Sequence, residues 1–143
     1  SEKTPATNNH PYATSNMYGE NSFIQATSDS ETEALIIRLS NAFGHPCGLD
    51  TNCWHLFMND ICRQAVSSNQ INLISGSQYR DFVTLTDVSR AIEFLIISST
   101  KPLDMKIFNI GGGSQQIIDM AKTVKLIFEK NFNEELTPDI IQL

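Results

Sequence analysis

The feature that most constrains the fold is a short, nearly continuous apolar run, ALIIRL, at residues 34–39. This composition is typical of a strand that is buried on both faces, as in a parallel sheet covered by helices. Residues 40–46 break the run with polar residues, a glycine and a proline, so we expect a loop at the carboxyl end of the strand. In open α/β sheets, ligands bind at that edge. The expected fold class is α/β, with short, largely parallel strands and packed helices.

The remaining pattern alternates helical and extended segments, from which we expect three or four strands. Apolar residues at helical spacing predict helices near residues 11–27, 53–66, 86–99 and 114–130. Short apolar runs predict strands at residues 71–74, 82–85 and 106–110, and residues 140–143 could begin a strand that the chain does not complete. Thr86 could cap the third helix, and Asp87 suits its positive end. The glycines at 111–113 are expected to form a tight turn, with phosphate binding as the alternative.

Composition restricts the classes of function that the chain can have. The 143 residues suit one domain, and the net charge of −6 argues against a broad nucleic-acid surface. A single arginine could still bind a phosphate. No apolar run is long enough to span a membrane. The cysteines and histidines match no disulfide or metal pattern, so we expect no metal site and reduced thiols in a cytoplasmic protein; these are Cys47, Cys53, Cys62, His10, His45 and His55.

The stretch PYATSNMYGE, residues 11–20, carries the most chemical information. Tyr12 and Asn16 lie one helical turn apart, so both side chains would project from one face. A phenol can exchange a proton with a substrate hydroxyl when a neighbour lowers its pKa. A packed or capping aromatic residue is the alternative role for Tyr12.

This stretch resembles the Tyr-x-x-x-Lys helix of extended short-chain dehydrogenases/reductases, in the form found in nucleotide-sugar epimerases and dehydratases. Here Asn16 occupies the lysine position. Three more stretches resemble family motifs in the same order and spacing: RLSNAFG at 38–44, RDFVTLTDVSRAI at 80–92 and FNIG at 108–111. The match covers residues 11–130 and corresponds to the C-terminal half of a Rossmann-like extended fold in this family.

The resemblance implies a role for each matching residue. Tyr12 and Asn16 would stand at the catalytic and cofactor-binding positions, facing NAD or NADP. Asn41 would contact the substrate at a strand end, and Arg80, expected in a loop, would bind the diphosphate of a nucleotide sugar with its planar fork of donors. A solvated surface role is the alternative for Arg80. The resemblance also leaves open a homodimer formed through the Tyr12 helix.

Two features weigh against a complete enzyme. Asn16 brings no positive charge to Tyr12, which favours a non-catalytic relative that binds a nucleotide sugar or a partner protein. Only eleven residues precede Tyr12, so the family's glycine-rich dinucleotide loop is expected to be absent, and the 143 residues are expected to be a single domain or a fragment. Arg38, inside an apolar strand, requires partners and is expected either in a structural ion pair or in a functional contact.

Overall fold

A computed structural model describes residues 10–29, 31–32, 34–48, 50–97, 107–132 and 137–142. The elements in chain order are α1 (Pro11–Thr27), β1 (Ile36–Leu39), β2 (Asn41–Phe43), α2 (Phe57–Ser68), β3 (Gln70–Leu73), β4 (Tyr79–Thr84), α3 (Leu85–Ile97), β5 (Ile107–Ile110), β6 (Ser114–Gln116), α4 (Ile117–Asn131) and β7 (Asp139–Gln142). They form two compact units, Ser1–Leu39 with Arg90–Ile110 and Ser40–Ser89 with Gly111–Leu143.

The first unit contains α1 and a two-stranded parallel ladder. β1 pairs with β5, with Ile36 opposite Ile107 and Leu39 opposite Ile110. Ile36 is buried, but Leu39 at the end of β1 is 45% exposed, so the expected burial of this strand on both faces is not observed along its whole length. One face of α1 is partly buried and the other is exposed, and no residue of this helix is fully buried.

The second unit contains the larger core. Its sheet has the order β2-β4-β6, with β2 parallel and β6 antiparallel to β4, and a separate ladder pairs β3 with β7 in parallel. α2 and α4 pack against each other over a cluster of buried side chains: Met58, Ile61, Ala65, Ile71, Leu73, Phe82, Ile117, Met120, Ala121, Val124 and Phe128. The alternation of buried Ile71 and Leu73 with exposed neighbours is that of a strand covered on one face.

The α/β class and the largely parallel strands are confirmed, since three of the four ladders among the described residues are parallel. α1 begins and ends where the sequence predicts, with Pro11 in its first turn. The expected helix end near residues 98–99 and the strand start at 106 lie outside the described residues.

Several local predictions were wrong. Residues 41–43 form β2 instead of a loop, because they pair with β4. A strand, β6, stands between the glycines and α4, and residues 139–142 complete a ladder with β3. The helix α3 begins at Leu85, and Thr84 caps it in place of Thr86.

The capping role expected of Asp87 is confirmed. Its backbone N–H donates to the Thr84 hydroxyl over 3.1 Å, and that hydroxyl donates to the Asp87 carboxylate over 2.8 Å. The Thr84 hydroxyl thus satisfies a backbone N–H in the first turn of α3 and is itself held by the Asp87 carboxylate.

Candidate active site

The exposed face of α1 presents Tyr12 and Asn16. The Tyr12 side chain is 72% exposed, and Asn16, one turn further along the helix, is also exposed. Neither residue is drawn into the packing of its own unit. Both side chains are therefore accessible on one helical face, as the spacing predicts.

The start of α1 is fixed by local hydrogen bonds around Tyr12. The imidazole Nδ1 of His10 accepts the Tyr12 backbone N–H over 3.3 Å, so His10 is the N-cap. The Thr14 hydroxyl donates to the His10 carbonyl, and the Ser15 hydroxyl donates to the Tyr12 carbonyl over 2.9 Å. These contacts hold the backbone of Tyr12 while leaving its phenol exposed. Sequence reasoning did not identify the His10 cap.

Arg38 forms a structural ion pair with Glu20, within the first unit. Of the two roles that the sequence left open for this arginine, the structural one is confirmed. The pair links β1 to α1, the helix that carries Tyr12 and Asn16.

Asn41 and Arg80 lie on neighbouring strands of the second unit. Asn41 begins β2 opposite Phe82, and its side-chain Nδ2 donates to the Asp81 backbone carbonyl over 2.8 Å. Arg80 lies within β4, so its expected position in a loop was wrong. Its side chain is exposed, and within the described residues it makes no hydrogen bond or ion pair. The structure therefore places Asn41 next to Asp81, the neighbour of Arg80 in β4. Tyr12 and Asn16 lie in the other unit.

Asp81 is the residue of this region that sequence reasoning missed. Its carboxylate accepts the backbone N–H groups of Gly112 and Gly113, each over 3.1 Å. The Ser40 hydroxyl and, to a smaller extent, these two N–H groups hold the pKa of Asp81 below its usual range, and burial only partly opposes them. No local signal distinguishes this aspartate, because its partners come from distant segments of the chain.

The glycine stretch is shaped by its approach to β4. A Cβ on Gly112 would collide with the Phe82 backbone carbonyl, and Gly113 adopts a φ of 120°, a conformation that side chains disfavour. Since the N–H groups of both residues already donate to Asp81, the structural turn is favoured over phosphate binding.

The described residues contain no cluster of three or more histidine, cysteine or acidic side chains that could hold a metal ion. The cysteines at 47, 53 and 62 are all free thiols. No helix in the described part of the chain is long and apolar enough to cross a bilayer.

A family model described as "NAD dependent epimerase/dehydratase family" matches residues 1–111. The chain belongs to this family. The match includes all four residues to which the sequence assigned site roles. Among curated proteins, no sequence matches this epimerase/dehydratase chain.

Solved structures agree with the family assignment at the level of the fold. A UDP-N-acetylglucosamine 4-epimerase from Methanobrevibacter ruminantium, in complex with UDP-N-acetylmuramic acid, superposes with a TM-score of 0.78 at 16% identity over 100% of this chain and 43% of its own. A dTDP-glucose 4,6-dehydratase from Bacillus anthracis, in complex with NAD, superposes with a TM-score of 0.74 at 19% identity, over 100% of this chain and 42% of its own. A UDP-glucuronic acid 4-epimerase from Bacillus cereus, in complex with NAD, superposes with a TM-score of 0.74 at 19% identity, over 99% of this chain and 44% of its own.

These similarities confirm the Rossmann-like fold of extended short-chain dehydrogenases/reductases. The epimerase/dehydratase chain described here spans less than half the length of each of these structures.

Proposed function

We propose that this chain contributes the catalytic-tyrosine and substrate-binding portion of an NAD(P)-dependent nucleotide-sugar epimerase or dehydratase. The observation that supports the proposal is the family match over residues 1–111, which includes Tyr12 on the exposed face of α1. The nucleotide sugars and NAD bound by the similar structures make a nucleotide-diphosphate sugar the ligand class of choice.

Tyr12 removes the proton of a sugar hydroxyl through its phenolic oxygen in this proposal. Exposure of the phenol lets a bound sugar reach it, and the His10 cap and the Ser15 hydroxyl fix the backbone from which it projects. Asn16, one turn away, donates a neutral hydrogen bond at the position where the family has a lysine. NAD(P), when bound, supplies the acceptor for the hydride that leaves the adjacent carbon.

The described residues fit NAD(P) in part. Tyr12 and Asn16 are accessible together, as contact with the nicotinamide riboside requires. The glycines at 111–113 do not fit the cofactor's diphosphate, because the N–H groups of Gly112 and Gly113 are taken by Asp81. NAD and NADP are both compatible with these residues.

Arg80 binds the diphosphate of the nucleotide sugar, and Asn41 contacts the substrate nearby. The exposed guanidinium of Arg80 has its donors available, and such a fork matches phosphate oxygens in pairs. Asn41 would use its amide oxygen or its second N–H, since one N–H donates to Asp81. A cytoplasmic location and a homodimer formed through the Tyr12 helix complete the proposal.

The neutral side chain of Asn16 favours a second candidate, a relative that binds a nucleotide sugar or a partner protein without redox turnover. Following nicotinamide absorbance with UDP-glucose and dTDP-glucose separates the two. Hydride transfer that Tyr12→Phe abolishes supports the enzyme. Calorimetric binding of either sugar without any absorbance change, in the wild type and in Tyr12→Phe alike, supports the second candidate.

A further inference from the structure

Asp81 links three segments of the second unit through one residue. Its two carboxylate oxygens accept the N–H groups of Gly112 and Gly113, and its backbone carbonyl accepts Nδ2 of Asn41. The Phe82 N–H donates in turn to the Gly113 carbonyl over 3.2 Å. Asp81 therefore joins three segments: the start of β2, the middle of β4 and the glycine loop, residues 111–113, that precedes β6.

The contacts of Asp81 with the glycine loop determine which residues lie beside Arg80. In the antiparallel ladder Arg80 lies directly opposite Gln115, two residues beyond the glycine loop, and both side chains are exposed. Residues directly opposite in such a ladder project on one face with their Cβ atoms about 5 Å apart. The position of the glycine loop therefore determines which polar group stands beside the guanidinium.

The Asp81 carboxylate itself is directed away from that face. Consecutive residues of a strand point to opposite sides of the sheet, so the side chains of Asp81 and Arg80 diverge. Both carboxylate oxygens are engaged by glycine N–H groups. Asp81 can thus act on a ligand of Arg80 only through the backbone, without contacting it.

We propose that Asp81 is a positioning residue of the nucleotide-sugar site, which locks the glycine loop to β4 and so fixes Arg80, Gln115 and Asn41 as one phosphate-binding edge. This inference rests on the proposed function, in which Arg80 binds the diphosphate. The closeness of the glycine backbone supports it, because a Cβ on Gly111 would lie 2.5 Å from Oδ1 of Asp81, so the carboxylate occupies the space that only a glycine leaves.

Asp81→Asn tests the role with little change in shape, because the amide keeps one acceptor oxygen and loses the other. Calorimetry with UDP-glucose and with dTDP-glucose should show affinity reduced about tenfold, as one charge-assisted pairing is lost. Hydrogen exchange at the Gly112 and Gly113 amides, read by NMR, should accelerate in the same variant. Asp119→Asn, which changes an exposed carboxylate of α4, should leave both measurements at the wild-type values.

If Asp81 had a purely structural role, its substitution would lower affinity only through the loss of stability. Ile61→Val measures how much affinity such a loss of stability removes. This variant loosens the core of the same unit without touching the Asp81 contacts. If affinity falls in Asp81→Asn no further than in Ile61→Val at equal loss of thermal stability, the positioning role is overturned. It is also overturned if Arg80→Ala abolishes binding while Asp81→Asn retains it, and the proposed function then survives. Failure of the wild type to bind either sugar overturns both.

Discussion

Arg38 and Glu20 form a two-pronged ion pair that joins β1 to the Tyr12 helix. Nε of the arginine lies 2.8 Å from Oε1 of the glutamate, and the second prong, between Nη2 and Oε2, measures 2.6 Å. The side chains are 32% and 20% exposed, so the pair is partly shielded from water. A fork of this geometry fixes orientation as well as distance. It therefore sets the rotation of α1 and the direction in which Tyr12 and Asn16 project.

Glu20→Gln should lower the free energy of unfolding by about 1 kcal/mol at neutral pH, because it removes the charge from a bidentate pair. The hydrogen bond to Arg38, followed by its charge, holds the pKa of Glu20 below the ordinary glutamate value, with burial acting in the opposite direction. A lowered pKa means that the stabilisation is fully present above the ordinary value and is lost as the pH falls through the lowered one.

Urea unfolding of the wild type and Glu20→Gln at several pH values checks this expectation. The difference in the free energy of unfolding between the two proteins should shrink as the pH falls through the lowered pKa of Glu20. The exposed pair between Lys122 and Asp119 supplies the control, since Asp119→Asn should have a much smaller effect. A Glu20→Gln protein as stable as the wild type at pH 7 would contradict the structural role of the pair.

The sequence predicted those parts of the fold that local pattern determines. The bounds of α1 follow from Pro11 at its start and from the polar residues 28–30 beyond its end, and the parallel strand at Ile36 follows from its apolar neighbours. β2 and β6 were missed because each is only three residues long and depends on pairing with β4. No helical or alternating period can show such pairing.

The same distinction applies to the candidate site. Tyr12, Asn16, Asn41 and Arg80 belong to linear motifs, so the resemblance could identify them. Asp81 is also part of such a motif, yet its carboxylate accepts hydrogen bonds from Gly112 and Gly113, in a segment about 30 residues away along the chain. Only the folded chain brings these groups together, which is why its anchoring role could not be predicted.

Arg80→Ala should weaken the binding of UDP-glucose or dTDP-glucose by about 3 kcal/mol, because a charge-assisted pair with phosphate is lost. Arg80→Lys should recover only part of the loss, since an ammonium cannot reproduce the paired donors of a guanidinium. Arg63→Ala is the matched control, as this exposed arginine pairs with Asp60 of its own helix, α2. Calorimetric affinities unchanged in both Arg80 variants would return the residue to a solvated surface role.

Two glycine-to-alanine changes should shift stability in opposite directions. Gly112→Ala should destabilise the protein by about 3 kcal/mol, because the new methyl group meets the Phe82 carbonyl. Gly19→Ala should stabilise it by up to about 1 kcal/mol, because position 19 lies in α1 with open space around it and alanine favours a helix. Thermal unfolding followed by circular dichroism measures both, and equal shifts would contradict the described backbone of the glycine loop.

The last prediction concerns the Tyr12 helix. Asn16→Lys should increase hydride transfer in a protein that joins this chain to the family's dinucleotide-binding half, because an ammonium one turn from Tyr12 favours the phenolate and can reach the cofactor ribose. The limb of the pH–rate profile on which the rate rises with deprotonation of Tyr12 should move to lower pH, toward neutrality, and adding Tyr12→Phe should abolish the gain. The exposure of both side chains leaves room for the longer lysine without repacking.

Nicotinamide absorbance separates the outcomes when it is followed in the wild type, Asn16→Lys and the double variant. We expect weak turnover in the wild type that rises with lysine. Asn21→Lys, the same change at an exposed position on a different face of α1, controls for added charge alone. An equal gain from Asn21→Lys would trace the effect to the general field of the charge instead of its place beside Tyr12. Three flat traces with substrate shown to bind would mean that Tyr12 no longer acts as a base, because restoring the family's charge to the same helical face would then leave the phenol inert.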